Sequence, residues 1–296
     1  MLEISHNSAS IARGCWKKFY WTYKEKLTPK ARPIYFTTGE IIHDAFEQYH
    51  KLTPDPDVIK FIDQRYSELL TGCDPNQEED LRLAKYTNIG MWMYWPWKDL
   101  SEFEEDFSEK EFKVTIPGLR GVRLVGRVDG LVKMNGKWWI RELKTTGLTP
   151  NQFKGRMKTS YQVSGYVYAM RKLGFPVEGV MFEIIKKPLL RKRVNDSVDD
   201  FGRRIMSDYQ NDGNAPENAR KAFSRVFEYR SGLQMEQFVT DTKELVRDIR
   251  TRQRLNNWYR NPDYCWSFNS ECQFCKICFM DKPDEMTLKV YYDRRG

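Results

Sequence analysis

The chain has 296 residues, 40% of them hydrophobic and 30% charged, with a formal net charge of +8, which describes a globular protein able to bury a sizeable core. The basic balance suits a polyanionic partner without separating DNA from RNA or an anionic membrane. No run is apolar enough to span a bilayer and the start, MLEISHNSASIARGCW, lacks a continuous apolar stretch, so no membrane anchor or secretion is expected and a cytoplasmic location is.

In chain order, the serines near Ser8 can cap a short helix that carries Cys15 and the aromatics Phe19 and Tyr20. Thr37 and Glu40 have the spacing of a capping box, and Ile42, Ala45, Phe46 and Tyr49 follow at helical intervals, with His43 and Glu47 flanking that stripe. A lone histidine in such a place is usually structural. Pro54-Asp-Pro predicts another helix start, with Val58, Ile59, Ile62, Tyr66, Leu69 and Leu70 inward and Gly72 as its stop. Leu81 to Trp97 continues the helical region. Its aromatic run, Met91 to Trp97, could stack bases, but core packing is the commoner use of such residues. Beyond an acidic stretch, Glu111 to Ile116 alternates as a strand and closes at Pro117-Gly118.

Val122 to Thr146 contains the pair Asn135-Gly136 between β-branched and aromatic residues, which is a strong signal for a two-residue type I′ hairpin. Such a turn sets Met134 opposite Lys137 and Asp129 opposite Glu142. Directly opposed side chains stand about 5 Å apart and like charges there repel, so a cation between them, most simply a divalent metal, would relieve the pairing. Lys144 shares the face of Glu142 by period-two alternation, as do Trp138 and Ile140. The plainer alternative is a turn residue and a solvated charge pair.

Tyr161 to Met170 predicts a helix with Gln162 and Tyr166 one turn apart, ended by Gly174-Phe-Pro. Val177 to Ile185 follows as a strand and leads into Lys186, Lys187 and the cluster Arg191-Lys192-Arg193, which reads either as a solvated loop or as a phosphate contact. Asp212 to Pro216 is a predicted loop, and Leu233 to Asn257 a long amphipathic helix with Met235, Phe238, Thr242, Leu245, Val246 and Ile249 inward. Four of the six cysteines, Cys265, Cys272, Cys275 and Cys278, crowd the last 32 residues, which suggests a metal or cluster rather than disulfides, while Cys73 stands apart. The order of elements implies a mixed α/β core with helices before and after it.

Gly126-Arg-Val-Asp129, Glu142-Leu-Lys144, Gln162-x-x-x-Tyr166 and Gly39-x-x-x-His43, in that spacing, resemble the signature of the PD-(D/E)XK nuclease superfamily, specifically its RecB-like branch. Val128 stands where the family name has proline. The resemblance implies a restriction-endonuclease-like mixed sheet flanked by helices, with helical additions and a C-terminal iron-sulfur tail. It runs over nearly the whole chain, so residues 1–296 are expected to form a single nuclease domain. Its parts would be an N-terminal helical part over 1–100, a catalytic core over 101–200, and a helical part with the cysteine tail over 201–296.

The resemblance further implies that Asp129 and Glu142 bind Mg or Mn with His43 as an additional ligand, that Lys144 orients or activates the attacking water, and that Gln162 and Tyr166 position the DNA backbone. Lys186 and Lys187 are added DNA contacts. Cluster-bearing members of the branch, which include AddB-type exonuclease domains, CRISPR-adaptation nucleases and phage exonucleases, pair one early cysteine with three late ones to hold a 4Fe-4S cluster. Here that implies Cys15, Cys265, Cys272 and Cys278, with Cys275 as the alternate through the set Cys15, Cys272, Cys275 and Cys278. The usual late spacing is Cys-x2-Cys-x5-Cys, whereas this chain has Cys265-x6-Cys272-x5-Cys278. The zinc alternative lacks two separated Cys-x2-Cys pairs.

The implied activity is an exonuclease on single-stranded DNA or duplex ends, in recombination, repair, phage DNA metabolism or CRISPR spacer acquisition. The alternative is a catalytically inert iron-sulfur subunit that binds DNA or serves as a scaffold in a helicase-nuclease assembly. The chain has no helicase P-loop, so a motor would be a separate partner.

Overall fold

The computed structural model describes residues 1–30, 34–52, 55–267, 270–280 and 283–295. The first elements are β1 (Leu2–Ile4), α1 (His6–Gly14), α2 (Trp16–Phe19), β2 (Leu27–Pro29), α3 (Ile34–Leu52), α4 (Asp55–Leu70) and α5 (Pro75–Met93). Then come β3 (Glu105–Thr115), β4 (Val122–Met134), β5 (Lys137–Thr146), α6 (Pro150–Lys158), α7 (Tyr161–Lys172), β6 (Val177–Lys186), α8 (Val198–Gly213), β7 (Phe223–Tyr229) and α9 (Gly232–Leu255). The tail holds β8 (Trp266–Ser267), β9 (Ser270–Glu271), α10 (Cys275–Cys278), α11 (Glu285–Tyr291) and β10 (Tyr292–Arg294). The chain forms two compact units, a smaller one of Met1–Arg32, Phe112–Gly126 and Ser231–Gly296 and a larger one of Pro33–Glu111 and Arg127–Arg230. Among the described residues no helix is long and apolar enough to cross a membrane.

The larger unit is built on a mixed sheet in the order β4-β5-β6-β7, with β5 and β6 parallel and the other two pairs antiparallel. β6 is buried along almost its whole length, as befits a central strand covered on both faces. The helices α3, α4, α5 and α8 close a core around Phe46, Ile62, Tyr66, Trp92 and Tyr209, into which Leu143 and Ile185 project from the sheet. The aromatic run therefore packs: Trp92, Trp95 and Trp97 are all buried. At Gly202 an added Cβ would lie 2.2 Å from the ring of Tyr86, so the absence of a side chain is what lets α8 lie so close to α5.

Several predicted boundaries move. α3 begins at Ile34, so Thr37 and Glu40 lie inside it rather than capping it, and Thr38 Oγ1 donates to the Ile34 carbonyl at 3.0 Å. Pro54 lies outside the described residues, but α4 keeps Val58, Ile62 and Tyr66 inward at i, i+4, i+8. That stripe continues to Leu70, which leaves Leu69 exposed. α5 starts earlier than expected, capped by Asp74, and stops at Met93, short of Trp97. The acidic residues Glu105 to Glu109 already belong to β3, where Glu105 pairs with Lys133 at 3.0 Å. Three elements of the larger unit were not anticipated, namely α6, α8 and β7, although α8 buries Phe201, Ile205 and Tyr209 at i, i+4, i+8, and α8 absorbs Asp212 and Gly213 of the predicted loop.

In the smaller unit β1 lies parallel to the start of β4, with Leu2 beside Val122. Ile4, Trp16, Phe19, Val246 and Trp258 form the core between α1, α2 and α9. The predicted Cys15 helix is broken at that residue: α1 is capped by a reciprocal Ser5–Ser8 pair, Cys15 turns extended, and α2 restarts at Trp16. α9 ends at Leu255 because Asn256 takes a left-handed conformation. Phe274, Ile277 and Tyr292 join Trp21 and Leu27 in a second apolar cluster, where β10 pairs with β2.

One feature of the larger unit was invisible in the sequence. Arg141 and Glu183, each with 1% of its side chain exposed, are joined by a bond of 2.9 Å from Nη2 to Oε2. Arg225 bonds the other oxygen of Glu183 at 2.6 Å and grips Glu102 with two nitrogens. The Arg141 guanidinium is stacked among Phe46, Trp95 and Phe103. Removing one partner of such a pair strands the other charge without water, so Glu183→Leu is expected to lower stability by about 3–5 kcal/mol in urea unfolding. The double variant with Arg141→Met should recover most of that loss.

Candidate active site and cysteine cluster

The β4-β5 hairpin turns as predicted, with Asn135 and Gly136 at φ of 52° and 71°, and its ladder runs from Met134–Lys137 to Gly130–Arg141. One residue further the strands stop exchanging main-chain bonds. The Leu143 N–H instead donates to Asp129 Oδ2 at 3.0 Å, so the expected direct pairing of Asp129 with Glu142 becomes a side-chain bond to the next residue's backbone. That bond fixes the Asp129 carboxylate where the ladder opens.

Glu142 is buried beside it. Its Oε1 accepts from Lys144 Nζ at 2.6 Å and from Gln162 Nε2 at 3.3 Å, while Oε2 is buried with no hydrogen-bond partner. α3 passes over β5 so closely that a Cβ on Gly39 would touch Thr145 Oγ1 at 3.7 Å. One turn later His43 presents Nδ1 to Asp129 Oδ2 at 3.2 Å. On α7, Gln162 also donates to the Tyr166 hydroxyl at 3.0 Å. The structure thus brings together His43, Asp129, Glu142, Lys144, Gln162 and Tyr166.

The charges are unevenly tuned. Burial would raise Asp129, but the charge and hydrogen bond of His43, aided by Lys144 and the Leu143 N–H, hold its carboxyl below the usual carboxylate range. Burial and the neighbouring Asp129 charge push Glu142 up to about 7, against the pull of Lys144. Burial works against the charged form of Lys144 and of His43, and in both the adjacent carboxylates outweigh it and raise the pKa. Burial together with the Glu142 charge keeps the Tyr166 hydroxyl protonated as a donor or acceptor of hydrogen bonds.

Lys186 and Lys187 are not part of this constellation. They line a separate cavity of about 460 Å³ with Asp208, Asn211 and Asp212, where burial lowers the Lys187 pKa.

Sequence reasoning missed the residue that holds α7. Arg230 donates to the carbonyls of Met157 and Ser160, at 2.6 and 3.1 Å, and to Ser164 Oγ at 2.9 Å, and is paired with Glu228. It clamps the α6-α7 junction that presents Gln162. The alternation of Phe223 to Tyr229 was the available signal for β7, whose end supplies it.

A family model of the PD-(D/E)XK nuclease superfamily matches residues 3–279. The chain belongs to this superfamily. No curated protein matches it in sequence. The mixed sheet flanked by helices is the restriction-endonuclease-like fold, and membership makes the chain a nuclease by family, of the hydrolase class.

Nucleases of this superfamily typically use Mg or Mn. Among the described residues no three His, Cys, Asp or Glu side chains stand in ready-made metal-ligand geometry. The donor set nevertheless suits a hard divalent cation, since a buried carboxylate oxygen without a partner lies beside a second carboxylate and an imidazole.

In the smaller unit the Asn261 N–H donates to Cys15 Sγ at 3.4 Å, and the Cys265 carbonyl accepts from the Cys272 N–H at 2.7 Å. Burial pushes the Cys278 thiol up, Arg260 opposes it, and Cys15, Cys265 and Cys272 add to the rise. Cys275 is pushed up to about 12 by burial and by Cys272 and Cys265. Cys73 is half-buried against the helical core of the larger unit. An all-thiol set of this kind fits iron-sulfur ligation.

The metal-free site carries a pH signature. The folded pKa values of Glu142 and His43 both exceed their ordinary ones, so the folded state binds more protons and stability falls as pH rises toward the Glu142 value of about 7, with His43 adding to the fall above its ordinary range. In EDTA, urea unfolding should show that decline, and Glu142→Gln should flatten it by up to roughly 3 kcal/mol.

Proposed function

We propose that the chain is a Mg- or Mn-dependent deoxyribonuclease, an exonuclease acting on single-stranded DNA or duplex ends. The observation that carries this reading is the unpartnered buried Glu142 Oε2, set beside Asp129 and within reach of Lys144. Asp129 and Glu142 hold the metal, with His43 as a further ligand. When bound, the metal supplies a site for activated water and neutralises charge that grows on the phosphate oxygens.

The side chains do the rest. Lys144, bonded to Glu142, orients the attacking water and offers positive charge to the phosphate. Gln162 steadies Glu142 and the Tyr166 hydroxyl from α7 through its amide nitrogen, and the pair positions the DNA backbone. His43 holds the Asp129 carboxylate in place. Lys186 and Lys187 add contacts to DNA beyond the reacting phosphate.

Lys144→Ala and Asp129→Ala are each expected to reduce cleavage in Mg or Mn by at least about 100-fold while DNA binding and the fold persist. Full activity in either variant would overturn the assignment. End-labelled linear DNA, circular single strands and duplex in Mn distinguish exonuclease from endonuclease action and give the polarity. Retained DNA binding with no cleavage of any of these would favour the inert scaffolding reading.

The smaller unit, on this proposal, carries a 4Fe-4S cluster on Cys15, Cys265, Cys272 and Cys278, with Cys275 as the alternate ligand. Cys278 feels Cys15, Cys265 and Cys272, and Cys275 feels Cys272 and Cys265, so both sets draw on thiols that lie near one another. The chain then sits in the RecB-like branch as a single nuclease domain built of two compact units. It works in the cytoplasm in recombination, repair, phage DNA metabolism or CRISPR spacer acquisition, beside a separate helicase or recombination partner. Anaerobically purified protein should be brown and hold iron and acid-labile sulfide in near-equal amounts; stoichiometric zinc without sulfide would contradict the cluster.

A further inference from the structure

α9 carries a line of cations that the site described above does not use. Lys243, Arg247, Arg250 and Arg254 recur at i, i+4, i+7 and i+11, which places them on one face of the helix. They line a groove of about 310 Å³ whose other wall is Gly118 and Leu119, from the turn between β3 and β4, and no Asp or Glu is among its lining residues. Arg250 is fixed by donating to the Arg120 carbonyl at 2.6 Å. Val246 and Leu119 supply the groove's apolar lining. Arg252 is spent elsewhere, stacked on Trp16 and Tyr259.

Cations in a helix's last turn are favoured by the helix dipole, but that effect dies within one turn. Lys243 and Arg247 lie two or more turns from the end of α9 at Leu255, so the dipole does not account for them. The acids on the same helix are Glu236, Asp241, Glu244, which pairs with Arg247, and Asp248. None of them lines the groove.

We propose that this groove is a second DNA contact, one that grips the phosphate backbone of a strand through Lys243, Arg247, Arg250 and Arg254. It rests on the reading of the chain as a DNA nuclease. At 1.5 Å per residue the four side chains span about 16 Å, enough to lie against about four successive phosphates of one strand. Charge complementarity sets the occupant's class, and the groove offers no exposed aromatic platform, so it reads backbone rather than bases.

The test measures binding of the full chain to labelled duplex DNA in EDTA over a range of salt concentrations, so it is independent of cleavage. The variant Lys243→Gln, Arg247→Gln, Arg250→Gln, Arg254→Gln should lower the slope of log K against log salt by about 3 to 4 and weaken binding at least tenfold. In Mn its kcat at saturating DNA should match that of the unsubstituted chain, with KM raised. A control, Lys60→Gln, Arg82→Gln, Lys172→Gln, Arg203→Gln, removes the same charge from the larger unit. An unchanged slope in the groove variant, or an equal drop in the control, overturns the proposal. If the unsubstituted chain cleaves nothing but the groove variant loses its slope, the DNA contact stands and the nuclease reading falls.

Discussion

Two carboxylates held side by side out of water set the terms for the larger unit. Asp129 and Glu142 sit on adjacent strands just where the hairpin ladder opens. Ionising both without a cation is costly, and the protein divides the burden. His43, Lys144 and a backbone N–H gather around Asp129, which stays charged, while Glu142 is left with a raised pKa and an unpartnered oxygen. A divalent cation would satisfy the orphan oxygen and remove the repulsion at once. The arrangement is unfavourable as pure architecture, which is why it reads as a site.

The same strand must also present charge on its other face. Residues Trp139 to Leu143 of β5 are all buried, so period-two alternation sends Glu142 toward one helical layer and Arg141 toward the other. On the side of Glu142 and Phe182, Phe153 of α6 packs edge-on against the sheet at 5.1 Å. On the side of Arg141, Glu183 and Arg225 complete a buried charge network walled by Trp95, Trp97 and Phe103, in which Arg141 Nε and Nη1 face aromatic rings without a hydrogen-bond partner. Neutralising Arg141 in place lets a strand with charges at consecutive positions be central to the sheet. The rigidity of that network also fixes β5 against β6 and hence the position of Glu142.

The parts legible in the sequence were those with local signals. Asn135-Gly136 fixed the turn because both residues must take positive φ, and the register followed from it. Periodicity located α4, α7, β6 and α9. What escaped was set by contacts distant in sequence. α6 has no sustained apolar stripe, the stripe of α8, Phe201, Ile205 and Tyr209, is diluted by charged residues and was passed over, and α3 already starts at Ile34, before the apparent cap at Thr37. Arg141 drew no reading from the sequence because its partner, Glu183, lies 42 residues away in a strand that reads as apolar. Gln162 was assigned to DNA, and only the folded structure puts its amide on Glu142. The break at Cys15 was hidden for a related reason: Gly14 lies against the Tyr264 ring, from the far end of the chain.

The smaller unit explains why cysteines recur there. Its apolar residues fall into separate clusters, one between α1, α2 and α9 and one around Phe274 and Tyr292. The tail is made of two- and three-residue strands and of helices of four and seven residues, and Trp266, Tyr264 and Phe279 are exposed. Elements that short bury too little surface to hold themselves, the condition under which small folds recruit a covalent or metal staple. The proposed cluster, joining Cys15 at the break between α1 and α2 to three cysteines of the tail, would tie the tail to the first helices of the smaller unit. The extended conformation of Cys15 places it between α1 and α2 rather than within a continuous helix, which would suit such a ligand.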